Sequence, residues 1–172
     1  MDNKKKNDKT LGVAMIVIAV FLALFLGFAL VVPAITAKAR LNDKLEAYRA
    51  LGEDDIMQIF DPLYKDGGFY GDVTAELSSD ESREIAQKLL NICDGAKYSS
   101  IAADVQGNWD VSIVVRKDGG GISSVYFTED EFYVTKDNKQ YRFKPAKDKT
   151  EEFSSLVALI EERIAQSSKN VE

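Results

Sequence analysis

Histidine is absent from all 172 positions, so imidazole-based triads and histidine-containing zinc sites have nothing to build on. Cys93 is the only cysteine, which rules out an internal disulfide and any cysteine-histidine pair. What remains is oxygen chemistry. Asp54, Asp55, Asp61, Asp66 and Asp72 could supply paired carboxylates for acid-base work, and a Ser-Lys pair could supply a nucleophile. Those carboxylates fall on predicted loops, where acidic residues are ordinarily solvated charge. Gly119-Gly120-Gly121 lies between two alternating apolar runs, without the helix N-terminus that lets a glycine loop hold phosphate, and reads as a hairpin turn. Neither Asp66 nor Asp118 has calcium-loop spacing. The expectation is no enzyme, no cofactor and no metal.

One polar grouping does emerge from strand register. From Lys97 to Lys144 the apolar period is two, and a one-residue slip would turn every side chain over. Keeping Trp109, Val111, Ile113 and Val115 on one face sets Ile113 opposite Val125 across a loop at 117–121. Phe127 then falls opposite Phe132, and Val134 opposite Tyr141 across a two-residue turn at Asp137-Asn138. Ile101 and Ala103 are expected to join across Trp109 and Val111 through a loop ending at Gly107. The other face then carries Ser112, Tyr126, Tyr133 and Arg142 in one row. Tyrosine and arginine bring large contact area with a polar handle, so this row is the candidate interaction face. Such residues are also ordinary outward positions on strands, where cross-strand pairs contribute a few tenths of a kcal/mol each.

Helices must flank that sheet. Ser78 and Glu81 have capping-box spacing, and Ile85-Leu89-Ile92 and Ala86-Leu90-Cys93 make two adjacent stripes before Gly95, so Cys93 reads as a small core residue. Thr150 to Ala165 carries a second stripe of Phe153, Leu156, Val157, Ile160 and Ile164. Earlier, Leu41, Leu45 and Tyr48 predict a short helix ending near Gly52, which is suited to a left-handed cap. Ile56, Met57, Ile59 and Phe60 are expected to form a turn capped by Asp54 or Asp55 and stopped by Pro62; residues 66–71 follow as a loop, and Val73, Ala75 and Leu77 as an edge strand. The fold class is therefore α+β: a two-layer domain of antiparallel meander, with four or five strands and helices packed on one face.

Ahead of this domain, Leu11 to Ala37 runs for 27 positions without a charged side chain. Roughly 20 apolar residues span a hydrocarbon core, whereas a cleaved signal has an apolar core of about 7 to 15. A retained transmembrane signal anchor is expected. Lys4, Lys5, Lys6 and Lys9 precede it, and Lys38, Arg40, Lys44 and Arg49 follow, so flanking charge does not set the orientation. The ten-residue basic tail is characteristic of a signal anchor, which puts residues 1–10 in the cytoplasm and the later domain outside. The divisions are a tail at 1–10, a transmembrane helix at 11–37, a juxtamembrane stalk helix at 38–52, an α+β domain at 53–166 and a flexible tail at 167–172.

Charge narrows the partners. Four of the 22 Lys and Arg and two of the 28 Asp and Glu precede Lys38, leaving a formal charge of −8 over the remaining 135 residues. That balance argues against nucleic acid, which needs clustered cations to neutralise phosphate. An apolar helix leading into a stalk and then an antiparallel sheet resembles the plan of type IV pilins, although Asn7 to Leu11 lack their glycine-phenylalanine processing site and the glutamate after it. The expected function is a single-pass membrane protein with an extracytoplasmic binding domain, such as an accessory subunit of an envelope complex that contacts a protein or other envelope component. The alternatives are an anchored hydrolase using carboxylates or a Ser-Lys pair, and a structural stalk subunit.

Overall fold

The computed structural model describes residues 2–65, 68–103 and 111–169, which form two compact units, Met1–Thr36 and Ala37–Glu172. In the first unit, helix α1 (Asp2–Arg49) begins and carries Pro33. From residue 15 to 29 its apolar side chains are open to the surroundings, Phe21, Phe25 and Phe28 by 70–71% each. This helix is long and apolar enough to cross a membrane, with a mean hydropathy of 3.1 over its most apolar 18 residues.

The second unit starts with the end of the same helix. Ala37, Leu41, Leu45 and Tyr48 recur every three or four residues and are 0–3% exposed. The segment expected to be a free stalk is therefore a core helix of the domain. Tyr48 Oη donates to the carbonyl of Ile113 at 2.6 Å, and Ser123 Oγ donates to the carbonyl of Lys44 at 2.7 Å. Gly52 does not take the left-handed conformation expected of it; its N–H donates instead to Asp55 Oδ2 at 2.6 Å.

Ile56, Met57, Ile59 and Phe60 form no helical turn. They open strand β1 (Ile56–Lys65), because Met57 and Ile59 alternate onto the core side and pair with Val115 and Ile113. Pro62 lies beyond the stretch paired with that neighbour, residues 56–60, so one side of the ladder needs no N–H from it. Strand β2 (Gly68–Glu76) is longer than the expected edge strand and takes in part of the expected loop; Asp66 lies outside the described residues. Helix α2 (Ser79–Cys93) has the expected capping box, and Gly95 follows with φ +74°.

Strands β3 (Lys97–Ala103), β4 (Ser112–Arg116), β5 (Ile122–Phe127), β6 (Phe132–Lys136) and β7 (Lys139–Lys144) complete an antiparallel sheet of seven strands, ordered β2-β1-β4-β5-β6-β7-β3. The meander register is as expected: Ile113↔Val125, Phe127↔Phe132, Val134↔Tyr141 and Phe132↔Phe143. Asp137 and Asn138 both have positive φ, as a two-residue hairpin requires. Strand β3 departs from expectation by pairing with β7, Ile101 opposite Tyr141. Apolar alternation fixes which face a strand presents but not which neighbour it finds, and β1 occupies the side of β4 assigned to β3. Trp109 and Gly107, on which that assignment leaned, lie outside the described residues. Helix α3 (Thr150–Lys169) follows a short 3-10 turn (Lys147–Lys149) and runs past the expected end at Ala165. Phe153 approaches Phe127 and Phe132 at 6.1 and 6.4 Å, and the stripes of α1, α2 and α3 share one core with the inward side chains of the sheet.

Candidate functional site

Register brings the four predicted residues together. Ser112 lies opposite Tyr126, Tyr126 opposite Tyr133, and Tyr133 opposite Arg142. The tyrosine rings stack with centroids 4.9 Å apart and planes 11° from parallel, and the Arg142 guanidinium stands 5.2 Å above the Tyr133 ring. Arg142 also donates to Gln140 Oε1 at 2.7 Å and lies 3.7 Å from Glu131, which accepts from Ser99 Oγ at 2.7 Å.

The expectation that these side chains face solvent is corrected by their burial. Tyr133 and Ser112 are each 1% exposed and Tyr126 8%. Ser112 Oγ has no hydrogen-bond partner among the described residues. A partner could reach Arg142 here, but not the tyrosine rings without displacing what surrounds them. The physical reason for the miss is that register assigns a face and says nothing about whether that face is covered.

A second grouping was not expected. Asp61 from β1, Glu129 from the β5–β6 turn and Glu161 from α3 line a cleft of about 560 Å³ whose apolar wall includes Val111, Phe127 and Val157. Burial holds the Asp61 carboxyl above the usual carboxylate range, and the negative charge of Glu161 adds to this. Among the described residues none of the three carboxylates has an ion-pair partner. The cleft's hydroxyls are already engaged: Ser154 Oγ donates to the Thr150 carbonyl, and Thr128 Oγ1 to that of Glu131. The arrangement can attract a cation or hold a proton at Asp61. The sequence signal was Asp61 itself, read as a loop residue because β1 was read as a turn.

Of the other aspartates singled out in the sequence, Asp55 is structural. Asp55 accepts from the N–H of Gly52 and, at 3.1 Å, from that of Asp118, and Lys117 Nζ lies 2.5 Å from its Oδ2. The Lys117 bond, then the Gly52 N–H, hold its carboxyl below the usual range. Lys117 Nζ also donates to the carbonyl of Ala50, closing the end of α1. Cys93 is buried, which pushes its thiol well up and makes it a poor nucleophile. No three His, Cys, Asp or Glu side chains among the described residues are placed to hold a metal ion. No protein family model matches the chain, and neither a curated protein nor a solved structure is similar to it.

Proposed function

We propose that the protein is a single-pass membrane protein whose α+β domain serves as an extracytoplasmic binding module, in the manner of an accessory subunit of an envelope complex. The observation that carries this reading is the open apolar surface of α1, where Phe21, Phe25 and Phe28 are each 70–71% exposed and no part of the most apolar window is buried. So much apolar surface in water is unfavourable at roughly 25 cal/mol per Å², and a bilayer removes that cost. The test is localisation with topology. The full chain should stay in membrane fractions after alkaline washing, and a reporter fused after Glu172 should be active only outside the cytoplasm. A soluble full-length chain would remove the anchor; a reporter active inside would reverse the orientation.

A second reading, an anchored hydrolase using carboxylates, draws support from the cleft of Asp61, Glu129 and Glu161, where one carboxyl is partly desolvated beside another's charge. Hydrolysis of a broad ester or glycoside panel that is lost in Asp61→Asn would favour it over the binding module.

A further inference from the structure

The sheet is open, and its two edge strands differ. Strand β2 carries Asp72 and Glu76 within its length, whereas β3 has no charged side chain and no proline from Tyr98 to Ala103. Charge and proline are what ordinarily keep an exposed edge from pairing with another chain. Strand β3 keeps a different guard, a bulge between Tyr98 and Ser100, which leaves Ser100 to Ala103 as its regular stretch.

Register shows which backbone groups of that stretch face outward. The two-residue turn at Asp137-Asn138 makes Lys136 and Lys139 a hydrogen-bonded pair, so Lys139 and Tyr141 bond to β6, and Gln140 and Arg142 to β3. Ser100 and Ala102, opposite Arg142 and Gln140, therefore direct their N–H and C=O to β7, while Ile101 and Ala103 direct theirs away from the sheet. The side chains are open as well. Ile101 is 37% exposed, whereas Tyr141, its neighbour on the same face, is 5% exposed, so the cover over the core face ends at β7.

Charge at this edge runs against that of the domain. Arg142 and Lys144 are matched by Glu131 and Asp130, which leaves Lys97 at one end of β3 and, beside Ala103, Lys136 and Lys139 of the β6–β7 hairpin. These three lysines are exposed and have no ion-pair partner among the described residues. Asp137 is the acid on the hairpin, and Asp104, next in the chain, lies outside the described residues. Residues 38–172 as a whole carry −8. We propose that the free edge of β3 takes up an extended segment of a partner protein as an added strand, its backbone bonded to Ile101 and Ala103, an apolar side chain against Ile101 and acidic side chains towards Lys97 and Lys139. This names a partner class for the binding module proposed above and rests on that reading. A second copy of the chain fits less well, because antiparallel pairing of two β3 strands sets Lys97 of each against the Lys139 end of the other.

The test uses the full chain purified in mild detergent and a panel of labelled ten-residue peptides, alternating valine with threonine or tyrosine at the centre and carrying two acids at each end. Binding is followed by fluorescence anisotropy. Acid-ended peptides should bind, and lysine ends in their place should weaken binding at least tenfold. N-methylation of alternate central amides on the pairing edge removes backbone donors and keeps every charge; it should also cost at least tenfold. Ala103→Pro removes only an outward N–H, so it should leave the melting temperature nearly unchanged and weaken binding at least tenfold. Should that variant lose cooperative melting, Ile101→Asp is read instead, with the same loss expected and unchanged binding counting against the edge. No binding across the panel overturns the inference. Equal binding by the N-methylated peptides overturns it as charge alone, and unchanged binding by folded Ala103→Pro places the peptide elsewhere. A dimeric chain that Ala103→Pro makes monomeric would assign the edge to a second copy, which overturns it too. A chain that binds these peptides but leaves the membrane fraction loses the anchor and keeps the edge, whereas a membrane-held chain that binds none overturns this inference alone.

Discussion

Removing residues 1–51 should abolish folding of the domain, whereas removing residues 1–36 should leave it intact. The natural cut, made where the predicted stalk ends, deletes Leu41, Leu45 and Tyr48, which are 3%, 2% and 2% exposed. Full burial of each such side chain contributes about 1.5 to 3 kcal/mol, so the three together supply roughly 5 to 9 kcal/mol. The hydrogen bond from Tyr48 Oη to the Ile113 carbonyl is lost as well, and Ser123 Oγ loses the Lys44 carbonyl. A domain of this size has a net stability of about 5 to 15 kcal/mol, so the loss is comparable with the whole. The assay is urea unfolding followed by circular dichroism on chains 37–172 and 52–172, with Tyr48→Phe in the longer chain as an internal scale. The longer chain should unfold in one cooperative step. Tyr48→Phe keeps the ring, loses the hydroxyl bonds and should cost about 1 kcal/mol. A cooperative transition in chain 52–172 within 1 kcal/mol of the longer chain would refute the reasoning, since α1 would then be a passenger on the sheet.

Asp55→Asn should cost about 1 to 3 kcal/mol at neutral pH, because a nearly buried acceptor of two backbone N–H groups and Lys117 loses its charge. Its folded pKa is lowered, so wild-type stability from this group is present above the ordinary carboxylate pKa and lost as pH falls through the depressed value; urea midpoints from pH 7 down to 2 should converge with those of the variant. Asp61 works in the opposite sense. Its folded pKa is raised, so the folded state holds the extra proton, and stability falls as pH rises from the ordinary carboxylate value through the raised one. Asp61→Asn should therefore match or exceed wild type at pH 7 and lose that advantage in acid, and a variant weaker than wild type at every pH would contradict the desolvation. Tyr133→Ala should cost about 3 to 5 kcal/mol in the same melts, as for a core aromatic; a change under 0.5 kcal/mol would restore the open-face reading.

The parts of the fold legible in the chain are those governed by local rules. The capping box at Ser78 and Glu81, the paired stripes of α2 and the positive-φ turn at Asp137-Asn138 each depend on residues a few positions apart, and each appears where spacing put it. Register across β4 to β7 was also legible, because three short turns leave one arrangement that keeps Ile113, Val125, Phe132 and Phe143 together. Illegible were the pairings that depend on what competes for an edge. Ile56 to Phe60 carries both a strand alternation and enough apolar residues for a turn, and only the free side of β4 decides between them. The tyrosine row was placed correctly and its environment misread, since burial of a sheet's second face is a property of the whole domain. The acidic cleft went unseen for the same reason: Asp61, Glu129 and Glu161 are 32 to 100 positions apart and meet only through α3 and β1.

The sheet order has a kinetic corollary. Strands β4, β5, β6 and β7 close through turns of a few residues, but Lys97 must find Lys144, and Ile59 must find Ile113, across much longer chain. Loop-closure entropy and contact order both place the local meander early and the two long-range additions late. Truncating Phe132 or Phe143 in the meander should therefore slow refolding, whereas weakening β3, for instance through Ile101→Ala, should leave refolding nearly unchanged and speed unfolding. Strand β3 would then be the edge whose amides exchange first with solvent, and whose fraying sets how long the native domain persists.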